Sequence, residues 1–308
     1  RAASGKDNVA ICGYHGWHDW YLSTNLNYSK TNNLNSHLMK NLNIEGVPKK
    51  LKNTVFSFNY GDFENLKKLV NKKNIGVIKM EICRNTEPNI NFLKNVRNLA
   101  NRKNIILIFD ECTTGFRETF GGLHKKTKII PDMAVFGKAL GNGYAITAVI
   151  GKKEIMESVN KSFISSTFWT ERIGPVAALK TLEVMNETNS WKKIKNIGDK
   201  IKKRWKEIFD FYNLDVSIRG ISGLSNFIFN SKNHQAYKTL ITQEMIKKNF
   251  LATNTIYPCI KHTDNLLDKY FDNLERITKI ISICENDGHD VRKFLKTDLS
   301  DKDFLRYN

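Results

Sequence analysis

Two residues of opposite charge stand where short apolar runs stop. Asn104–Phe109 reads NIILIF, β-branched and aromatic as a strand requires, and is followed by Asp110; a second run, Pro131–Gly137, is followed by Lys138. In an open α/β sheet the helices cover both faces, so ligands bind in the crevice outside the carboxyl ends of the strands. An acid and an amine delivered to one rim outline a site. A lysine amine can condense with an aldehyde, and a buried carboxylate can hold a heterocyclic nitrogen protonated. These are the two protein groups that pyridoxal phosphate requires, with a flat aromatic such as Tyr14 available to stack on its ring. Spacing alone leaves a second use open, because strand-end Asp and Lys also serve as helix caps and solvent-facing charges.

The elements that must position this pair are legible on either side of it. Asn8–Cys12 is expected to be a strand, leading into the aromatic turn GYHGWHDW bracketed by Gly13 and Gly16. Residues 25–53 are polar and asparagine-rich, a long loop. Thr54–Asn59 alternates as a strand, Asp62 caps a helix to about Asn71, and Ile75–Cys83 is an apolar strand with Glu81 near its end. Thr86–Asn101 then carries Ile90, Phe92, Leu93, Val96 and Leu99 at helical intervals. Strand, helix, strand, helix, strand is the rhythm of a parallel sheet with crossover helices.

After Lys138 come the turn ALGNG and a strand expected over Ile146–Gly151. A phosphate loop is excluded, since Ala139 rather than Ser or Thr follows the lysine, and the GxGxxG spacing of dinucleotide sites is absent. The hydroxyl-rich KSFISSTFWT, residues 161–170, precedes a helix expected from about Gly174 to Met185; taken alone it suits an N-cap as well as an anion. From about Asp215 the strands shorten and alternate with helices at Gln235–Asn249 and Asp264–Glu285. The expected organisation is therefore a large α/β domain over 1–212 and a smaller α+β domain over 213–308.

Lys and Arg number 49 against 31 Asp and Glu, a net charge of +18 in 308 residues, which by itself would suit a nucleic-acid-binding protein. The lysines are instead spread along the chain. In Trp191–Ile208 they fall between Trp191, Ile194, Ile197, Ile201, Trp205 and Ile208, as on the solvated face of an amphipathic helix. The five cysteines form no CxxC pair, which fits a reducing, cytoplasmic setting better than a disulfide framework or a thiolate zinc site. His15 and His18 have a ligand-like spacing but no second cluster completes a metal site, and no segment is apolar for long enough to cross a bilayer.

FDECTTGFR, PDMAVFGKALGNGYAITAVIG and GYHGWHDW together resemble the class III, fold-type I pyridoxal-phosphate-dependent aminotransferases, with the glutamate-1-semialdehyde 2,1-aminomutase branch nearest. The likeness runs in order over nearly the whole chain, TLITQEMIKKNFLATNTIYPCIKHT included. It implies a mainly parallel sheet flanked by helices with a smaller α+β C-terminal domain. It makes Lys138 the lysine of the cofactor Schiff base and the proton carrier, and Asp110 the partner of the pyridine nitrogen. Tyr14 matches the ring-stacking aromatic. Cys112 falls where the family usually has valine on the opposite ring face. Glu81 matches an active-site glutamate, although Ile82 follows it where proline is usual. Thr113 falls where many transaminases place a glutamine.

Thr167, in SSTFWTERIGP, matches a threonine that reaches the neighbouring subunit's cofactor phosphate, so a homodimer is implied. The family's phosphate turn lies upstream of a segment like Arg1–Asp7, and the chain is expected to lack it. The implied reaction carries an amino group from a small-molecule donor to an aldehyde or keto acceptor, with Arg84, Arg117 and Arg219 as candidates to hold a substrate carboxylate. The alternatives are a basic nucleic-acid-binding protein and a non-catalytic fragment of the fold.

Overall fold

Period-two alternation builds the first sheet. The structure, a computed structural model, describes residues 1–16, 18–27, 43–83 and 85–299. Its first unit, Arg1–Asn186, contains the strands β1 (Asn8–Cys12), β2 (Val55–Ser57), β3 (Ile75–Glu81), β4 (Ile106–Asp110), β5 (Met133–Phe136) and β6 (Ala148–Gly151). They lie in the order β2-β1-β3-β4-β5-β6, parallel throughout except for the β5–β6 pair. The antiparallel edge is compatible with the mainly parallel sheet expected and has a simple cause. The connection 137–147 is too short for a helical crossover, so the chain turns back beside β5.

Strands β2 and β3 flank β1 on opposite sides, which makes the β1/β3 boundary the point where strand addition reverses, the usual position of a ligand crevice. In the parallel register Ile11 pairs with Lys79, Lys79 with Ile108, Glu81 with Asp110 and Asp110 with Val135. These residues share one face with Val9, Val77 and Ile106, against which Tyr21 and the partly buried Tyr14 and Trp20 pack. Ala10, Ile78, Met80, Leu107 and Phe109 alternate to the other face and are buried.

The helices of this unit are α1 (Asp19–Leu22), α2 (Phe63–Lys72), α3 (Ile90–Arg102), α4 (His124–Thr127), α5 (Lys153–Met156) and α6 (Ile173–Thr188). Asp62 caps α2 as anticipated, its side chain accepting from the Asn65 N–H at 3.0 Å. Helix α3 starts at Ile90 rather than near Thr86, because Pro88 disfavours helix before it and the Asn89 side chain caps by accepting from Phe92 N–H. Leu66, Val70, Leu93, Val96 and Leu99 are the buried stripes of α2 and α3.

The second unit begins at Glu187, ahead of the boundary expected at 212/213. It takes in α7 (Ser190–Phe211), followed by β7 (Val216–Arg219), β8 (Ser225–Phe229), α8 (His234–Ile246), β9 (Thr255–Ile256) and α9 (Asp264–Asn286). The earlier division follows from packing: Ile201, Trp205, Ile208 and Phe209 of α7 belong to the same core as Phe227, Phe229, Tyr237, Leu240 and Leu274. Trp205 meets Phe227 edge-to-face at 4.8 Å and donates its indole N–H to the Tyr270 hydroxyl at 3.0 Å, so the one polar atom of this buried ring is satisfied. The antiparallel sheet β7-β8-β9 completes the α+β character read from the sequence. On α7 the lysines face solvent and pair with acids one turn away, Lys195 with Asp199 and Lys206 with Asp210 at 2.8 Å, as a solvated face does. Among the described residues no helix is long and apolar enough to cross a membrane.

Gly198 lies in the middle of α7, where alanine is intrinsically favoured by about 1 kcal/mol. A Cβ there would collide with the backbone of Ser222. Gly198→Ala is therefore expected to destabilise the protein, by about 1–3 kcal/mol as overpacking does. A denaturant midpoint that rises in this variant would contradict the packing.

Candidate active site

Four strand ends converge on the site. After β1 the chain turns through Gly13, whose φ of +104° only glycine adopts without strain and whose Cβ would collide with the Glu81 carboxylate. Glu81 Oε2 accepts from the Tyr14 N–H at 3.1 Å, so this carboxylate at the end of β3 holds the turn that presents Tyr14 and His15. The Tyr14 ring meets Tyr21 edge-on at 5.8 Å, and the Tyr21 hydroxyl donates to the Gly13 carbonyl at 3.1 Å.

Asp110, at the end of β4, is the electrostatic centre. Its Oδ2 accepts from His15 Nδ1 at 2.9 Å and from Lys79 Nζ at 3.1 Å, and its Oδ1 accepts from the Cys112 N–H at 3.2 Å. Burial pushes the Asp110 pKa up, but the His15 hydrogen bond and the Lys79 charge outweigh it and hold the carboxyl well below the usual carboxylate range. The buried His15 ring sets its other nitrogen, Nε2, 3.1 Å from the Cys12 carbonyl. Both ring nitrogens thus face acceptors. The ring is engaged in positioning Asp110 and is no half of a His15–His18 pair; among the described residues no group of three or more His, Cys, Asp or Glu gathers that could hold a metal ion.

Lys138 follows β5 and differs from Asp110 in every respect. It is exposed, has a φ of +46° that non-glycine residues rarely adopt, and donates from Nζ to the Thr113 hydroxyl at 2.9 Å. The residues between the acid and the amine's partner are held by Glu111, which is fully buried and accepts from the backbone N–H groups of Leu123 and His124, both at 2.9 Å. Cys112 lies within electrostatic reach of both charges. Burial first, then the Asp110 charge, pushes its thiol up to about 11, so it is protonated at neutral pH and behaves as a small apolar wall rather than a nucleophile.

The structure thus joins Asp110 to Lys138 through the turn 111–113, and joins Tyr14 and Glu81 to each other beside it. Thr167 lies exposed in the segment after residue 161, and α6 is capped by the Glu171 side chain, which accepts from Gly174 N–H at 3.1 Å, rather than by the hydroxyls. Arg117 sits near the turn, its Nε donating to the Thr113 carbonyl at 3.2 Å. Arg219 is on β7 in the second unit, and Arg84 falls outside the described residues. Sequence reasoning did not find His15, Lys79 or Thr113 as partners. Lys79 had a signal: it stands in phase with Val77 and Glu81 in a buried strand, where an ammonium requires a carboxylate.

The family model described as Aminotransferase class-III matches residues 12–278. The chain is 32% identical over 278 residues to a 3-aminobutyryl-CoA aminotransferase of Cloacimonas acidaminovorans, covering 86% of this chain and 63% of that protein. It is 31% identical over 215 residues to a glutamate-1-semialdehyde 2,1-aminomutase of Methanosphaera stadtmanae, covering 67% and 50% respectively. It therefore spans between one half and two thirds of the length of these relatives. Among solved structures, the PLP form of the FumI protein of Sphingopyxis sp. MTA144 superposes with a TM-score of 0.79 at 16% identity, over 96% of this chain and 70% of that one.

Because the folded-state pKa of Asp110 is depressed, its ionisation stabilises the fold above the unfolded carboxyl value of about 3.9 and that contribution is lost as pH falls below it. Asp110→Asn leaves Lys79 and His15 without their acceptor charge and is expected to cost about 3 kcal/mol at neutral pH. The difference from wild type should shrink below pH 4. Denaturant titrations at pH 7 and pH 3 measure it, and a gap that stays constant would rule out this role.

Proposed function

The chain belongs to the class-III aminotransferase family, and from that premise we propose that it holds pyridoxal 5′-phosphate and moves amino groups between small molecules. The observation that carries the reading is the linkage of an ionised, buried Asp110 to an accessible Lys138 through one turn between adjacent strand ends. The side chains fit this cofactor. The Lys138 amine, hydrogen-bonded to a neutral hydroxyl and in no ion pair among the described residues, is available to an aldehyde. Asp110 keeps its negative charge and so can face a protonated ring nitrogen. Cys112 supplies a small apolar wall near it, and Tyr14, in the turn held by Glu81, is the candidate aromatic.

When bound, the cofactor supplies an electron sink for a carbanion next to the substrate nitrogen. The chain's own residues do the rest. Lys138 Nζ would hold the cofactor aldehyde, with loss of water, and its free amine would serve as the general base that moves a proton. Thr113 Oγ1 orients that amine, His15 holds Asp110, and Asp110 would hold the proton of the ring nitrogen. Glu81 keeps Tyr14 in place through its backbone N–H. The reaction class is transfer of an amino group from an amino donor to an aldehyde or keto acceptor, the change for which both relatives, the aminotransferase and the aminomutase, are named.

The assembly in this reading is a homodimer. Phe163, Phe168, Trp169, Ile173, Val176 and Leu179 are exposed along the segment around Thr167 and the start of α6, an apolar stretch suited to a second copy. Thr167 then contributes to the partner subunit's phosphate site. Five free cysteines agree with a reducing, cytoplasmic location.

Incubating the full-length protein with pyridoxal phosphate and then borohydride is expected to label the peptide that contains Lys138. Lys138→Ala should lose the label and lower amino transfer at least about 10²-fold, the usual scale of a lost general base. An undiminished label in that variant rejects the assignment.

A further inference from the structure

Lys79 is the one cation in the buried strand β3, and the proposed chemistry gives it no task. Its register neighbours, Ile11 and Ile108, are apolar, and its side chain is only 19% exposed. Nζ lies over the Trp20 ring, 5.4 Å from its centroid, and meets Asp110 Oδ2 at 3.1 Å. A buried ammonium needs an acceptor of this kind, so the ion pair holds Lys79 as much as it holds Asp110.

The acceptor capacity of Asp110 turns this contact into an inference about ligand binding. An ionised carboxylate offers about two lone-pair directions on each oxygen. Oδ2 already receives His15 Nδ1 and Lys79 Nζ, and Oδ1 receives the Cys112 N–H. Among the described residues, Oδ2 thus receives two donors and Oδ1 one. A ring N–H arriving there meets a carboxylate whose charge is shared with Lys79, and it feels the ammonium itself. Among the described residues the other titratable groups around Asp110 are His15 after β1, Cys112 after β4, Lys138 after β5 and Glu81, which ends β3 on the same face as Lys79.

We infer that Lys79 is a positioning residue of the cofactor pocket, a fixed counter-cation on Asp110 that weakens this carboxylate's hold on the proton of a heteroaromatic nitrogen. The inference rests on the pyridoxal-phosphate reading and deepens it. Lys79 lowers the affinity for a cofactor that carries a basic ring nitrogen, relative to a cofactor of the same shape without one. The pocket is thereby tuned toward a less strongly protonated ring, with Asp110 still ionised and still oriented.

The test compares two probes on the full-length protein, pyridoxal phosphate and its 1-deaza analogue, in which carbon replaces the ring nitrogen. Affinities are measured by quenching of protein fluorescence for wild type, Lys79→Met, Lys79→Gln and Lys79→Arg, with melting curves to verify folding. Both neutral variants are expected to raise the preference for pyridoxal phosphate over the deaza analogue about tenfold, the effect of one pKa unit on the ring nitrogen. Lys79→Arg should keep the wild-type preference. A lysine that only supports the fold would change both affinities together and leave their ratio fixed, which overturns the inference. If Lys79→Met does not fold, Lys79→Gln decides. Should wild type bind neither probe, the cofactor reading falls and this inference with it; should it bind both while the ratio stays fixed in the neutral variants, only the role of Lys79 falls.

Discussion

The site depends on keeping one carboxylate ionised in a place that disfavours charge. Burial alone pushes Asp110 toward its protonated form, and a neutral acid could not face a ring nitrogen as an anion. Its charge survives because three donors reach it from three segments: His15 from the turn after β1, Lys79 from within β3, and the Cys112 N–H from the turn after β4. Neighbouring parallel strands make that convergence possible. Side chains alternate with period two, so a slip of one residue in either register would send Lys79 or Asp110 to the opposite face. The requirement for a charged Asp110 is thus also a requirement on the pairing of β1, β3 and β4.

Much of this architecture was legible from local pattern. The strands β1, β4 and β8, the cap at Asp62 and the long helices α7 and α9 announce themselves by apolar period and by capping residues within a few positions. What local pattern does not carry is partnership. Nothing within β6 says that it runs antiparallel to β5; that follows from the short connection 137–147. Likewise α7 reads as an amphipathic helix in isolation, yet its unit is decided by Phe227, Tyr237 and Leu274, which its apolar face meets far along the chain. Boundaries between units are set by such long-range packing, and grouping by packing puts α7 with the second unit, whereas the sequence reading divided the chain after it, at 212/213.

The candidate site divides the same way. Asp110 and Lys138 were visible because each follows an apolar run, and their chemistry is a property of the residue type. His15 was visible as a histidine but not as the partner of an acid 95 positions away. Glu81 was expected beside a cofactor, and in the fold its carboxylate accepts from the backbone of Tyr14. Thr113 was visible only as the position where many transaminases place a glutamine, and in the fold its hydroxyl accepts the Lys138 hydrogen bond. Each of these is a contact between strand ends that sequence distance conceals.

The two lysines explain one another. An amine that must attack a carbonyl is hindered by a nearby carboxylate, which favours the protonated, non-nucleophilic form. Lys138 is spared that neighbour: its Nζ bonds to the Thr113 hydroxyl, at an exposed position with a strained backbone. Asp110 meanwhile cannot stand unpaired in its buried setting. Lys79 resolves both demands at once, because it saturates Oδ2 from inside the sheet and leaves the amine at the rim with a neutral partner. Had the only ammonium within reach of Asp110 been that of Lys138, orientation of the acid and reactivity of the amine would have opposed each other; a second lysine, two residues before Glu81 and in phase with it, separates the two functions.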